Sequence, residues 1–306
     1  MPKFCVITSV AICDHSGQGS DSPLQYAAAT EILIMSDLSG HAALITGSTQ
    51  GVGLEIAAAL HQAGAQVLLH GLIRDQSAID ATLRCETDGN PATLITGDLA
   101  EPMPDGPLAV ADAAIHHNPQ IDLLVCNAGT FIDTPFPEEP FEIFDKTMKL
   151  NVYSHWVMIQ RFVQHWRENQ IRGRILMTGS INGRLAEPVH VAYDTSKAAI
   201  EGMLRSLCVT LAPMGIRING MAPGLFRTPL TEPALQDPRV MRWMQLHTPS
   251  GEVPNADVCG GAAVFLLSDA AEHIHGQMLL VDGGMSVWQQ PDPPSDWMNS
   301  SMESGS

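Results

Sequence analysis

Seven short apolar runs recur along this chain, at 42–46, 66–70, 92–96, 121–126, 174–178, 217–221 and 278–282, and each is continuous rather than alternating with polar residues. Continuous runs mark strands covered on both faces, and that degree of burial goes with parallel pairing. Longer amphipathic stretches at 54–63, 141–169, 192–211 and 256–267 lie between them, each long enough to cross back over a sheet. The expected fold class is therefore α/β, one doubly wound parallel sheet with helices on both faces. No internal repeat is present.

The alternation begins after Met35, which opens the phrase MSDLSGHAALITG. Residues 1–34 read as an N-terminal extension, disordered or not native to the protein. Its apolar run FCVITSVAIC follows a single Lys3, and Ile12 is too bulky for the small-residue cleavage site of a secretory signal. The expected domain spans 35–288, and 289–306 is a Pro/Ser-rich tail expected on the surface or disordered. A hydrophobic fraction of 45% with 16% charged residues excludes a disordered chain. Sixteen basic against 33 acidic residues leave a formal charge of −17, which repels a phosphate backbone, so nucleic acid is not an expected partner. No apolar run reaches the roughly 18 to 20 residues of a spanning helix, so a membrane is not expected either. The six cysteines are scattered and form no CxxC pair, which suggests no metal site and no disulfide framework and suits a reducing cytoplasm.

Between the first apolar run and the first helix lies Thr46-Gly47-Ser48-Thr49-Gln50-Gly51-Val52-Gly53. Three glycines in such a turn let backbone N–H groups approach a diphosphate, whose charge the following helix N-terminus favours. The predicted contacts in this loop are Gly47, Ser48, Gln50, Gly51, Val52 and Gly53. Further on, Tyr193 and Lys197 are four residues apart on a predicted helix and so project from one face. They lie 13 residues after Ser180, which ends the run RILMTGS, a distance that suits a strand, a loop and a helix entry.

The Gly-x-x-x-Gly-x-Gly spacing, with the later pieces in order, resembles the short-chain dehydrogenase/reductase family from about residue 38 to residue 285. The resemblance implies a Rossmann-like fold and an NAD(P)-dependent oxidoreductase that interconverts a secondary alcohol and a ketone. It places Asp98 and Leu99 at the adenine, and Asn127-Ala128-Gly129 as the floor of the cofactor site, with Cys126 standing where the family has a first Asn. It places Pro223, Gly224, Phe226 and Thr228 beside the nicotinamide, and reads Asp282-Gly283-Gly284 as a structural turn. The catalytic set it implies is Asn151, Ser180, Tyr193 and Lys197. An unperturbed phenol, with a pKa of about 10, is a poor base at neutral pH. A neighbouring ammonium and a positive nicotinamide are expected to lower that pKa and make Tyr193 the acid/base. Ser180 is expected to hold the substrate oxygen, and Asn151 to hold a water linking Lys197 to solvent.

Gly71 occupies the place where an NAD enzyme presents an acid to the ribose, which leans the cofactor towards NADP. The basic residues that often accompany NADP are missing at Gln50 and Leu72, with Arg74 nearby. The expected cofactor is NAD(P), NADP slightly ahead. The stretch 225–247, with Arg227, Arg239, Arg242 and Trp243, is expected to act as a lid, and Arg184, Glu187 and His190 precede Tyr193. This polar equipment suits a polyol, sugar or sugar acid, and the section resembles gluconate 5-dehydrogenases. The rival enzymatic reading is a 3-oxoacyl-[acyl-carrier-protein] reductase, and the rival from another class is a non-catalytic module that senses nicotinamide. The family resemblance also implies a homotetramer or homodimer.

Overall fold

In the computed structural model the described residues are 37–289, so the expected extension and nearly all of the expected tail lie outside them. Seven strands form one wholly parallel sheet: β1 Ala42–Ile45, β2 Gln66–Gly71, β3 Thr93–Thr96, β4 Leu123–Cys126, β5 Arg174–Thr178, β6 Arg217–Pro223 and β7 Met278–Val281. Their order is β3-β2-β1-β4-β5-β6-β7. Each falls on an expected run, with ends that differ by no more than two residues.

The two-residue period of a strand divides the side chains between two cores. Ala42 and Leu44 of β1, with Leu124 and Cys126 of β4, face one side, where Val110, Phe162, Trp166, Ile200 and Leu204 cover them. Ala43 and Ile45, with Leu123 and Val125, face the other, against Ile56, Leu60, Cys259 and Leu266. The first side carries helices α3 Asp105–His117, α5 Ser154–Asn169 and α6 Val191–Leu211, and the second carries α1 Gly51–Gln62 and α9 Val258–Leu267. Helix α2 Gln76–Arg84 links β2 to β3, and α4 Phe141–Met148 precedes α5. Between α4 and α5 the chain makes a π-helical turn over Lys149–Tyr153, so the single helix expected at 141–169 is continuous but locally widened. Residues of the expected lid fold into α7 Glu232–Leu235 and α8 Pro238–His247.

Registers such as Leu44↔Leu68 and Leu44↔Leu124 put β1 between β2 and β4. The direction of winding reverses at this point, which opens a crevice above the strand C-termini where a ligand can enter.

Candidate active site

A cavity of about 1000 Å³ opens over those C-terminal ends. The glycine loop, the end of β2, Gly97 to Glu101, Asn127 to Phe131, Thr178 to Ser180, Tyr193, Lys197, Pro223, Gly224, Phe226 and Thr228 to Thr231 contribute to its walls.

Thr46 ties two of these walls together. Its Oγ1 donates to the Val125 carbonyl at 3.2 Å and accepts the N–H groups of Asn127 at 2.9 Å and Ala128 at 3.0 Å. Asn127 Nδ2 returns the contact by donating to the carbonyls of Thr46 at 3.0 Å and Gly47 at 3.1 Å. Gly47 sits at φ +61°, and a Cβ there would come within 2.9 Å of Ala128 Cα. Gly53 would place a Cβ 2.3 Å from the Gly47 carbonyl oxygen and 2.4 Å from Asn127 Nδ2. Glycine is thus demanded by the loop's own packing. Cys126, in the place of the family's first Asn, is fully buried, and the bonds of Asn127 persist beside it.

The residues present fit a dinucleotide. No side chain caps the N-terminus of α1 at Gln50, so the N–H groups of its first turn are not claimed by a cap. Thr178 Oγ1, in the cavity wall, is buried without a partner, a donor and acceptor left for a polar group within the cavity.

Of the sequence-predicted contacts, Gly47, Gln50, Gly51, Val52, Gly53, Gly71, Asp98, Leu99, Asn127, Ala128, Gly129, Pro223, Gly224, Phe226 and Thr228 all line the cavity, with Ser180, Tyr193 and Lys197. Ser48, also among the expected contacts, does not line the cavity. Its hydroxyl donates to the Ile45 carbonyl at 2.8 Å and accepts the His70 N–H at 3.0 Å, and its own N–H goes to the His70 carbonyl, so it braces the loop from below. Thr49 lines the cavity instead. Asn151, expected to hold a water beside Lys197, lies on the π-turn outside the cavity lining. Its Oδ1 accepts the Thr130 N–H at 2.8 Å, and its Nδ2 donates to the Thr130 carbonyl at 2.9 Å and to Ser196 Oγ at 3.0 Å. With both ends of the amide occupied and the residue fully buried, the side chain anchors the cavity wall at Thr130.

Ser180 and Tyr193 stand together in the cavity wall, where the serine hydroxyl acts on the phenol. Ser180 Oγ accepts the N–H of Asn182 at 3.1 Å, which occupies one of its lone pairs. Asn182 Nδ2 donates to Asp194 Oδ1 at 2.8 Å, fastening the serine loop to the helix that carries Tyr193. Lys197 Nζ donates to the Thr178 carbonyl at 2.9 Å and lies 5.6 Å from the centroid of the Tyr193 ring. Burial pushes the lysine's pKa down to about 8.

The expected lowering of the tyrosine pKa is not what the chain alone produces. Although the Tyr193 ring is only partly covered, the protein packed around it raises the phenol above its ordinary value. The Ser180 hydroxyl opposes that rise, while the charges of Asp194 and Glu187 add to it. The phenol is therefore protonated at neutral pH, ready to give a proton to a ketone oxygen.

Three of the arginines singled out near the site pair with acids at the surface. Arg184 pairs with Glu201 at 3.0 Å, Arg227 with Glu232 at 3.1 Å and Arg239 with Asp237 at 2.7 Å. None of the three lines the cavity. His190 pairs with Asp133 at 2.8 Å, and Phe131, whose ring meets those of His190 and Tyr193 edge-on, forms the wall beside the phenol. Sequence reasoning missed Phe131 and Leu230 in the wall because neither stands in a spaced motif.

A family model described as Enoyl-(Acyl carrier protein) reductase matches residues 47–286. The chain belongs to the short-chain dehydrogenase/reductase family. Members of this family are NAD(P)-dependent oxidoreductases acting on CH–OH groups, and this chain is one of them. It is 34% identical over 254 residues to gluconate 5-dehydrogenase from Gluconobacter oxydans, covering 82% of this chain and 96% of that one. To glucose 1-dehydrogenase of the same organism it is 30% identical, over 82% of this chain and 93% of the relative. Among solved structures it is similar to a gluconate 5-dehydrogenase from Burkholderia cenocepacia in complex with NADP and tartrate, with a TM-score of 0.77 and 30% identity over 83% of this chain and 99% of that one.

Proposed function

We propose that this short-chain dehydrogenase/reductase interconverts a secondary alcohol and a ketone on a polyol, sugar or sugar acid, with NADP(H) ahead of NAD(H). The observation that carries the reading is the Ser180–Tyr193 hydroxyl pair at the wall of a cavity whose other walls fit a dinucleotide. When bound, the nicotinamide supplies or takes the hydride. The protein's own share is proton transfer and positioning: Tyr193 gives its proton to the ketone oxygen or takes it from the alcohol, and Ser180 donates to that oxygen as charge develops. The buried ammonium of Lys197 lies beside the phenol and favours the phenolate once the proton leaves.

The gluconate, glucose and rhamnose dehydrogenases among the relatives support this substrate class. NADP is favoured because Gly71 brings no acid to the end of β2 and because NADP is bound in similar structures. The similar 3-oxoacyl-(acyl-carrier-protein) reductase from Agrobacterium tumefaciens keeps an acyl thioester as a second reading. A net charge of −17 disfavours docking of an acidic carrier protein. Reduction of both nicotinamides, screened against polyols, sugars, sugar acids and acyl thioesters, tests the assignment. Turnover confined to thioesters overturns it.

Among the described residues no helix is long and apolar enough to cross a membrane. Cys85, Cys126, Cys208 and Cys259 are free thiols, which supports a reducing cytoplasm as the place of action. The exposed aromatic side chains of Tyr153, on the π-turn, and Trp156, on α5, support assembly into a homodimer or homotetramer through the long helices. Sedimentation at micromolar concentration gives a multiple of the 32.9 kDa chain if this holds and a monomer if it does not.

A further inference from the structure

His70, the fifth residue of β2, is buried and belongs to none of the motifs above. Its ring spans two loops. Nδ1 lies 3.1 Å from the Gly47 nitrogen, and Nε2 lies 3.1 Å from the Gly97 carbonyl oxygen. A backbone N–H can only donate, so Nδ1 is the bare acceptor and Nε2 carries the proton given to Gly97. Burial holds the imidazole pKa down to about 4, so this neutral tautomer persists through neutral pH.

The main chain of the same residue grips the loop as well. The Ser48 N–H donates to the His70 carbonyl at 2.9 Å, and the His70 N–H donates to Ser48 Oγ at 3.0 Å. On the far side, the Gly97 N–H donates to the Gly71 carbonyl at 3.2 Å, and Asp98 Oδ1 accepts the Ala100 N–H at 2.7 Å. Gly47, His70, Gly97 and Asp98 all line the cavity. Gly47 is thus held at its carbonyl by Asn127 and at its N–H by His70. The first of these partners belongs to the Asn-Ala-Gly motif; the second comes from β2.

We propose that His70 is a positioning residue for the adenosine-diphosphate half of the dinucleotide, its neutral ring clasping the diphosphate loop to the loop beneath the adenine. This rests on the reading that a dinucleotide occupies the cavity. An apolar residue of similar size would leave a partly buried donor on Gly47 and a partly buried acceptor on Gly97 without the ring that joins them, and the loops would shift to find water.

The test uses the full chain with His70→Leu and His70→Asn, titrated with NADPH and with 2′-phospho-ADP-ribose, which lacks the nicotinamide. His70→Leu is expected to weaken both ligands by the same factor, about tenfold or more. Turnover at saturating cofactor is expected to stay within about twofold. Asparagine can offer its Oδ1 to Gly47 but cannot reach Gly97, so His70→Asn is expected to fall between wild type and His70→Leu. Should the leucine variant fail to fold, the asparagine variant carries the test alone: its affinity must fall measurably below wild type for both ligands. Wild-type affinity in His70→Asn, a loss confined to NADPH, or a parallel fall in turnover at saturation overturns the proposal. Failure of the wild-type protein to bind either nicotinamide dinucleotide would overturn the dinucleotide reading instead.

Discussion

Tyr193 and Ser180 meet because Asn182 and Asp194 draw the serine loop onto α6, so the reacting hydroxyls are placed before any substrate arrives. Replacing Tyr193 by Phe removes one oxygen and leaves the ring contact with Phe131 available. Turnover is expected to fall by about 10³-fold or more while the dissociation constant for NADPH stays nearly unchanged. Activity equal to wild type would remove the phenol from the mechanism. Gly71 is a second single-residue control, and here space matters along with charge. A Cβ at this position would lie 2.6 Å from Thr49 Cγ2, so an acid can enter only if that methyl rotates away. Gly71→Asp is expected to lower NADP affinity relative to NAD by about tenfold or more, through repulsion of the 2′-phosphate. A ratio of the two affinities unchanged from wild type, measured by equilibrium titration, would place the 2′ position elsewhere.

Elements position these residues, and the glycine loop depends on how closely α1 approaches it. Gly53→Ala sets a methyl group against the Gly47 carbonyl and the Asn127 amide, both of which are fixed by other bonds. The loop must move, and cofactor affinity is expected to fall by about tenfold or more while the far side of the sheet keeps its melting behaviour. Unaltered affinity by titration would show the loop to be pliant. The seven strands were legible in the sequence because burial on both faces writes itself as continuous apolar runs. Helix α2 was not, since QSAIDATLR buries only Ala78 and Ala81 and leaves little periodic signal. Nor was α3, whose covered face is largely alanine and valine. The π-turn at Lys149–Tyr153 follows from no residue type in its own sequence. In the site, residues in spaced motifs could be read directly. His70, Thr49 and Phe131 could not, because only the strand order and loop packing bring them to one cavity. Arg227 and Arg239 of the expected lid, and Arg184 before Tyr193, each found an acid close by in sequence or space, which residue type alone does not reveal.

At the scale of the whole molecule, buried histidines make folding depend on pH in a way the acidic composition does not reveal. His155 on α5 donates through Nε2 to the Ala128 carbonyl at 3.1 Å, which leaves Nδ1 a buried acceptor without a partner. Burial, and then the charge of Lys197, bring its pKa down to about 3, against an ordinary value of 6.5. The unfolded chain therefore takes up a proton near pH 6.5 that the folded chain refuses until about pH 3. The stability His155 contributes is complete above pH 6.5 and is lost as the pH falls towards about 3. Within that window each such histidine adds a slope of about 1.4 kcal/mol per pH unit. His70, brought down to about 4, acts in the same direction over the upper part of the window. The variant His155→Asn keeps a donor on α5 but removes the titrating ring. Its unfolding free energy, followed by denaturant titration between pH 6 and pH 4.5 at fixed protein concentration, is expected to fall about 1.4 kcal/mol per pH unit less steeply than that of the wild type. Equal slopes would mean that the fold accepts the proton at His155, and that the carbonyl of Ala128 is held by a charged ring rather than a neutral one.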